Sequence, residues 1–165
     1  MSKVALVDDR DFDSLNRFKW YAWKLPPDRW YAARNCPRIG GKQQHVSMHR
    51  FLLGARKGEA VDHVNGDGLD NRRVNLRLAS QAQNLANARK KRTWNGHPTS
   101  SRFKGVMWHR AAGKWKAEIR VDGRSRYLGL FADEVEAAEA YNRAALQIFG
   151  EYARLNIYRK PVTVK

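Results

Sequence analysis

Acidic side chains are scarce in this 165-residue chain: 16 Asp and Glu stand against 32 Lys and Arg, a formal net charge of +16. A charge so one-sided repels itself and points to a polyanionic partner. A single cysteine, Cys36, excludes an internal disulfide and any multi-cysteine zinc site, and it fits a reducing compartment. No run approaches 18 apolar residues, so no membrane span and no membrane partner are expected. The opening MSKVALVDDRD lacks a secretory apolar core, which makes a cytoplasmic protein the expectation. Aromatic residues are not scarce. Six Trp, six Tyr and six Phe supply core volume, so the charge does not mark a disordered chain. The length suits one domain or two small ones.

Residues 1–58 read as a strand-rich region. Val4–Val7, Lys19–Trp23, Arg29–Arg34 and Gln44–Met48 look like short strands, broken by Pro26-Pro27, Pro37 and Gly40-Gly41. Met48–Leu53 reads as a short helix ended by Gly54. Residues 59–88 hold the densest polar motif. Residues 89–101 form a basic linker, and the stretch from Arg89 to Lys104 has six Lys and Arg and no acid. Gly96, Pro98 and the Thr-Ser-Ser run mark it as a connector. Two readings stand for it: a solvated hinge, or a cationic strap laying Arg89, Lys90, Lys91 and Arg92 along DNA.

Residues 102–156 form a compact unit, followed by a tail at 157–165. Phe103–His109, Lys114–Val121 and Ser125–Phe131 read as three strands joined by hairpin turns at Ala111-Ala112-Gly113 and Asp122-Gly123. Trp115, Ala117, Ile119 and Val121 alternate with Lys114, Lys116, Glu118 and Arg120, giving one apolar and one charged face. Asp133 and Glu136 form a capping box for a helix whose stripe is Val135, Ala138, Tyr141, Ala145 and Ile148, with Gly150 at its end. An antiparallel sheet covered by one helix follows. Lys116 and Arg120 on its free face are either nucleic-acid contacts or solvated strand residues. Trp115 shares a face with Ile119, which favours a core residue over a base-stacking one. Trp94 in the linker either packs or wedges. His45 and His97 read as surface residues, and Cys36 as structural or incidental.

The central motif runs VDHVNGDGLDNRRVNLRLASQAQNLAN from Val61 to Asn87. A strand at Ala60-Val61 leads into Asp62-His63. Strand alternation puts those two side chains on opposite faces, so they serve one site only if the strand ends there. Asn65-Gly66-Asp67-Gly68 favour that ending. A second strand follows at Leu76-Arg77-Leu78. Ser80 with Gln83 then caps a helix that carries Asn84 and Asn87 on one face. Hydrolysis of a phosphodiester needs a deprotonated water and compensation of the developing charge. His63, with a reference pKa of roughly 6.5, suits the role of general base. Asp62 and the Asn84 amide suit a hard divalent cation, Mg2+ or alternatively Mn2+, which takes few protein ligands. Asn75 suits a brace that orients His63. The plain alternative is an ordinary loop, where Asx residues serve the backbone.

Val61–Gly66, Asp70–Arg77 and Gln83-Asn84, with Met48-His49-Arg50 upstream, resemble the HNH endonucleases of phages and mobile introns. The resemblance implies a ββα-metal core with His63 as base, Asp62 and Asn84 as metal ligands, and Asn75 as the structural middle residue. Asn84 stands where many members have histidine. His49-Arg50 is either a phosphate contact, through Arg50, or a capping helix. Residues 102–156 resemble a second family, the plant APETALA and ethylene-response-factor DNA-binding domains. The residues that carry it are Phe103–Val106, Gly113–Arg120, Tyr127–Phe131, Glu136–Ala138, Ala140–Ala145 and Leu155-Asn156. That likeness implies a sheet entering a major groove, with Arg120 and Tyr127 facing the DNA. Lys104, His109, Arg110 and Lys116 join them as contacts. Met107 and His109 replace two arginines of the plant domains, so the plant target sequence does not transfer.

The expected fold class is therefore α+β: a ββα-metal nuclease core at 59–88 preceded by a strand-rich region, plus a C-terminal three-stranded antiparallel sheet on one helix. The expected function is a metal-dependent endonuclease of homing or mobile-element type acting on double-stranded DNA, as a monomer or weak dimer, in a bacterial or phage-infected cell. Two other classes remain: a non-catalytic DNA-binding regulator with a decayed nuclease fold, and an RNA-directed nuclease or toxin.

Overall fold

The computed structural model describes residues 3–26, 28–94 and 96–158, without the side chains of Ile39 and Trp94. Pro27 and most of the 157–165 tail lie outside the described residues, as does the side chain behind the two readings of Trp94. The protein is mixed α and β, and the paired strands among the described residues run antiparallel. It divides into two compact units, Met1–Asn84 and Leu85–Lys165.

The N-terminal unit opens with a helix that the sequence pattern does not announce, α1 (Asp9–Asn16). Asp9 and Asp11 in its first turn suit the positive end of the helix dipole. Where a strand was expected at Val4–Val7, only an isolated bridge between Leu6 and Asp70 forms. Next come β1 (Tyr21–Leu25), β2 (Arg29–Ile39) and β3 (Lys42–Ser47), a three-stranded meander. β2 runs well past the expected Arg34, and its pairing with β3 shifts register between Cys36 and Ile39, around Pro37, which has no N–H to give the ladder. Helix α2 (Met48–Leu53) follows directly and stops where Gly54 turns left-handed at φ 59°. β4 (Ala60–His63) and β5 (Leu76–Ala79) make a hairpin, and α3 (Gln81–Asn87) follows it across the boundary between units. Ser80 and Gln83 form the expected capping box: Gln83 N donates to Ser80 Oγ at 3.1 Å and Ser80 N to Gln83 Oε1 at 2.7 Å. The core gathers Leu15 of α1, Ala32 of β2, Met48 and Leu52 of α2, Val61 of β4 and Leu76 of β5. Burial of this set is what fixes the hairpin against α2.

In the C-terminal unit a short ribbon, β6 (Thr93–Trp94) with β7 (His97–Pro98), lies within the basic stretch. β8 (Val106–His109), β9 (Lys114–Val121) and β10 (Arg124–Phe131) form the expected sheet, with β9 in the middle. Asp122 at φ 49° and Gly123 at φ 77° make the tight β9–β10 turn, an Asp-Gly pair suited to two left-handed residues. Pairing slips by one residue between Tyr127 and Gly129, a bulge that places Leu128 out of step. Helix α4 (Glu134–Phe149) is capped by Asp133, whose carboxylate accepts from Val135 N at 2.7 Å and Glu136 N at 3.0 Å. Ala137, Ala138, Tyr141 and Ala145 press on Val106, Ala117 and Ile119. Alanines on the inner helix face let α4 approach closely: a Cβ at Gly105 would strike the Tyr141 ring.

Candidate active site

Strand β4 ends at His63, as both residues of the Asp62-His63 pair required. Val64 N donates to Asn75 O at 2.9 Å, and Gly66 N to His63 O at 2.8 Å, closing a turn directly after the histidine. The turn is tied by its own Asx side chains. Asn75 Oδ1 accepts from Asn65 N at 2.9 Å, and its amide donates to Asn65 Oδ1 at 3.0 Å and Asp70 O at 2.7 Å. Asp70 holds Arg72 through both carboxylate oxygens at 2.8 Å and accepts from Asn65 Nδ2 at 2.9 Å. Arg72 beside it lowers the Asp70 pKa. Arg73 binds Asp11 of α1 through both carboxylate oxygens at 2.8 Å, so the far side of the turn is pinned to the first helix. Asn75 is thus a brace of the loop, accepting from the backbone of Val64 and Asn65 directly after His63.

The side chains of Asp62 and His63 have separate neighbours. Asp62, 4% exposed, lies opposite Arg77 on β5, which donates to its Oδ2 from Nε at 3.0 Å and from Nη2 at 2.8 Å. His63, 6% exposed, meets the His49 ring edge to face and the Tyr31 ring at 5.9 Å between centroids. Tyr31 also touches His49, at 5.7 Å. The fully buried Asn71 side chain lies beside His63. It is held there by bonds to Leu69 O at 3.1 Å and Gly68 O at 3.5 Å. Burial lowers the His63 pKa, and the polar Asn71 side chain with the Asp62, Asp67 and Asp70 charges acts against it. Burial, with His63 and Arg50 nearby, pushes His49 down to about 3. Both imidazoles are therefore neutral near pH 7, the form a base requires. Asn84 is half-buried on α3.

Of the two readings of His49-Arg50, His49 is buried in the helix and its Nδ1 has no hydrogen-bond partner among the described residues. Arg50 donates to the carbonyls of Ala55, Arg56 and Glu59 and so ties down the chain after α2. Tyr31, Asn71 and Arg77 were missed by sequence reasoning. Arg77 had a legible signal, since the hairpin register sets it across from Asp62. Tyr31 and Asn71 had none, because only the folded unit brings them to His63.

In the C-terminal unit, register puts Met107, Lys116, Glu118, Arg120 and Tyr127 on the sheet face turned away from α4. Tyr127 is 61% exposed. Lys116 pairs with Glu118 at 2.7 Å, and Arg120 Nε donates to Gly123 O at 3.2 Å. His109 Nδ1 accepts from Ala112 N at 3.2 Å, capping the turn that holds the exposed Arg110. Arg89, Lys91 and Arg92 are exposed, whereas Lys90 and Lys104 are half-buried.

Residues 53–86 match the family model described as HNH endonuclease. Both resemblances hold. The matched HNH segment contains β4, the braced turn, β5 and most of α3. A protein of Acanthamoeba polyphaga mimivirus, named as an uncharacterized HNH endonuclease, is 29% identical over 154 residues, covering 92% of this chain and 74% of its own. Over the C-terminal part plant proteins are similar. Dehydration-responsive element-binding protein 2E of Arabidopsis thaliana is 49% identical over 65 residues, 33% of this chain and 26% of its own. APETALA2-like protein 2 of Oryza sativa subsp. indica is 48% identical over 59 residues, 34% of this chain and 13% of its own. No solved structure matches. No helix among the described residues is long and apolar enough to cross a membrane.

Proposed function

We propose that this protein is a metal-dependent HNH endonuclease of homing or mobile-element type, acting on double-stranded DNA as a monomer or weak dimer. The observation that carries the reading is His63: a neutral, buried imidazole at the end of β4, inside the HNH-matched segment. His63 takes the proton from the attacking water. Asn75 holds the turn that aims it, and Asn71 lies beside the ring. Asp62 with the Asn84 amide offers hard oxygen donors suited to Mg2+, with Mn2+ as the alternative. An ion bound there would share the Asp62 carboxylate with the Arg77 guanidinium. When bound, such an ion offsets charge on the phosphate and on the leaving oxygen. The β8–β10 sheet presents Lys116, Arg120 and Tyr127 to a DNA groove. The net charge of +16 favours the polyanion, with an affinity that falls steeply with salt.

Arg77 favours a second reading. A carboxylate already paired with arginine fits a DNA-binding regulator that has lost its ion. Incubation with supercoiled plasmid and Mg2+ separates the two. We expect nicks or breaks that EDTA prevents and that His63→Ala abolishes, while DNA affinity stays within a few-fold. Binding without any cleavage would establish the regulator instead, and undiminished cutting by His63→Ala would remove the base assignment.

A further inference from the structure

The C-terminal unit contains a pocket of about 270 Å3 that lies apart from the outward sheet face. Five of its lining residues are cations (Arg89, Lys90, Arg102, Lys104 and Arg154) and none is acidic. The framework around them is fixed. Asn156 Oδ1 accepts from Lys104 N at 2.7 Å, and its amide donates to Lys104 O at 3.0 Å. Asn142 clamps Asn156 in turn, through bonds of 2.9 and 2.7 Å to its backbone. Lys104 Nζ is drawn onto the carbonyls of Leu85, Ala86 and Ala88, and Arg154 Nε donates to Asn87 O at 2.7 Å. Lys90 Nζ donates to Val106 O at 3.1 Å.

Those carbonyls set the positions of the cations, but they carry only partial charge and leave the cluster strongly positive. Crowding has a cost here. Burial and Arg154 bring Lys104 down to about 8, and burial lowers Lys90 against the pull of Glu134. An anion entering the pocket relieves that repulsion through the field of cations already held in place, and the outer arginines supply the direct bonds. Arg102, lying over the Phe103 ring at 4.8 Å, and the exposed Arg89 supply the outer charges.

We propose that this pocket seats a phosphodiester of the DNA backbone, in addition to the groove contacts of the outward sheet face. The proposal rests on DNA being the protein's partner, but not on catalysis. A phosphate held here positions the duplex and carries no sequence information.

The test uses the full chain carrying His63→Ala, so that DNA is not consumed. Binding to preferred and random duplexes is followed against salt. Adding Arg89→Ala and Arg102→Ala should make the slope of log affinity against log salt shallower by about 0.9 for each phosphate no longer neutralised, equally on both duplexes. Arg143→Ala, an exposed arginine on α4, should leave the slope unchanged. In a parallel arm, inorganic pyrophosphate is titrated while the Lys104 and Asn156 amides are monitored by NMR. An unchanged slope in the double variant overturns the proposal. If pyrophosphate also binds tightly and the double variant abolishes it, the ligand is a free phosphate compound rather than DNA. Cleavage by the unsubstituted chain is scored separately, so a failure of catalysis is not mistaken for a failure of the pocket to hold phosphate.

Discussion

The imidazoles of His49 and His63 meet edge to face with ring centroids 4.9 Å apart, both inside the N-terminal unit. Folding holds His49 at about 3 and lowers His63 as well. In the unfolded chain each titrates at roughly 6.5. The unfolded state therefore binds more protons below that value, and stability falls as pH drops from about 6.5 toward about 3. For each histidine the slope approaches about 1.4 kcal/mol per pH unit. Urea unfolding of the N-terminal unit should show its midpoint falling between neutral and mildly acid pH. His49→Phe should flatten that dependence; an equal slope in the variant would contradict the account.

Arg77→Met leaves the Asp62 carboxylate buried without its guanidinium. Breaking such a pair costs about 3–5 kcal/mol, because one charge stays behind in the interior. Adding Asp62→Asn should recover much of that deficit. Denaturant unfolding of the two single variants and the double variant measures the coupling. Simple additivity would show that the pair does not act as a unit.

Asn75→Ala removes bonds to Asn65 N, Asn65 Oδ1 and Asp70 O. At about 1 kcal/mol net for each, the N-terminal unit should lose roughly 3 kcal/mol. Cleavage should slow, because the turn no longer fixes His63, while DNA affinity holds. A cleavage defect with full stability would instead make Asn75 a direct participant in the chemistry.

Gly105→Ala should destabilise the C-terminal unit alone. Its backbone sits at φ 73°, and a Cβ there would collide with the Tyr141 ring and lie 2.6 Å from Glu118 O. Overpacking of this kind typically costs about 1–3 kcal/mol, before the strain of a left-handed alanine is added. Tyr141 fluorescence and amide exchange in α4 report the effect. Unaltered exchange would mean that the helix yields more readily than its packing implies.

Much of this architecture could be read along the chain where local signals and burial agree. The alternation from Lys114 to Val121, the Asp122-Gly123 turn and the Asp133 cap each carry their structure in a few adjacent residues. The capping box of Ser80 and Gln83 is equally local. Helix α1 was not legible, because its inward groups are Leu15 and the charged Asp11. Asp11 is stable in the interior only with Arg73, 62 positions further on. The surroundings of His63 were hidden for the same reason: Tyr31 on β2, His49 on α2 and Asn71 in the turn share no periodicity. Asn75 as a brace was readable, since an Asx residue beside a turn commonly binds backbone.

The slip at Leu128 has a consequence for any residue-by-residue scan of β10. Up to Tyr127, odd-numbered positions look outward, opposite Glu118 and Arg120. From Gly129 onward they look toward α4, opposite Ala117 and Trp115. Tolerance to charged replacements therefore swaps parity midway along a single strand. Tyr127 and Phe131, four apart in an otherwise regular ribbon, answer to opposite environments: solvent for the first, helix for the second.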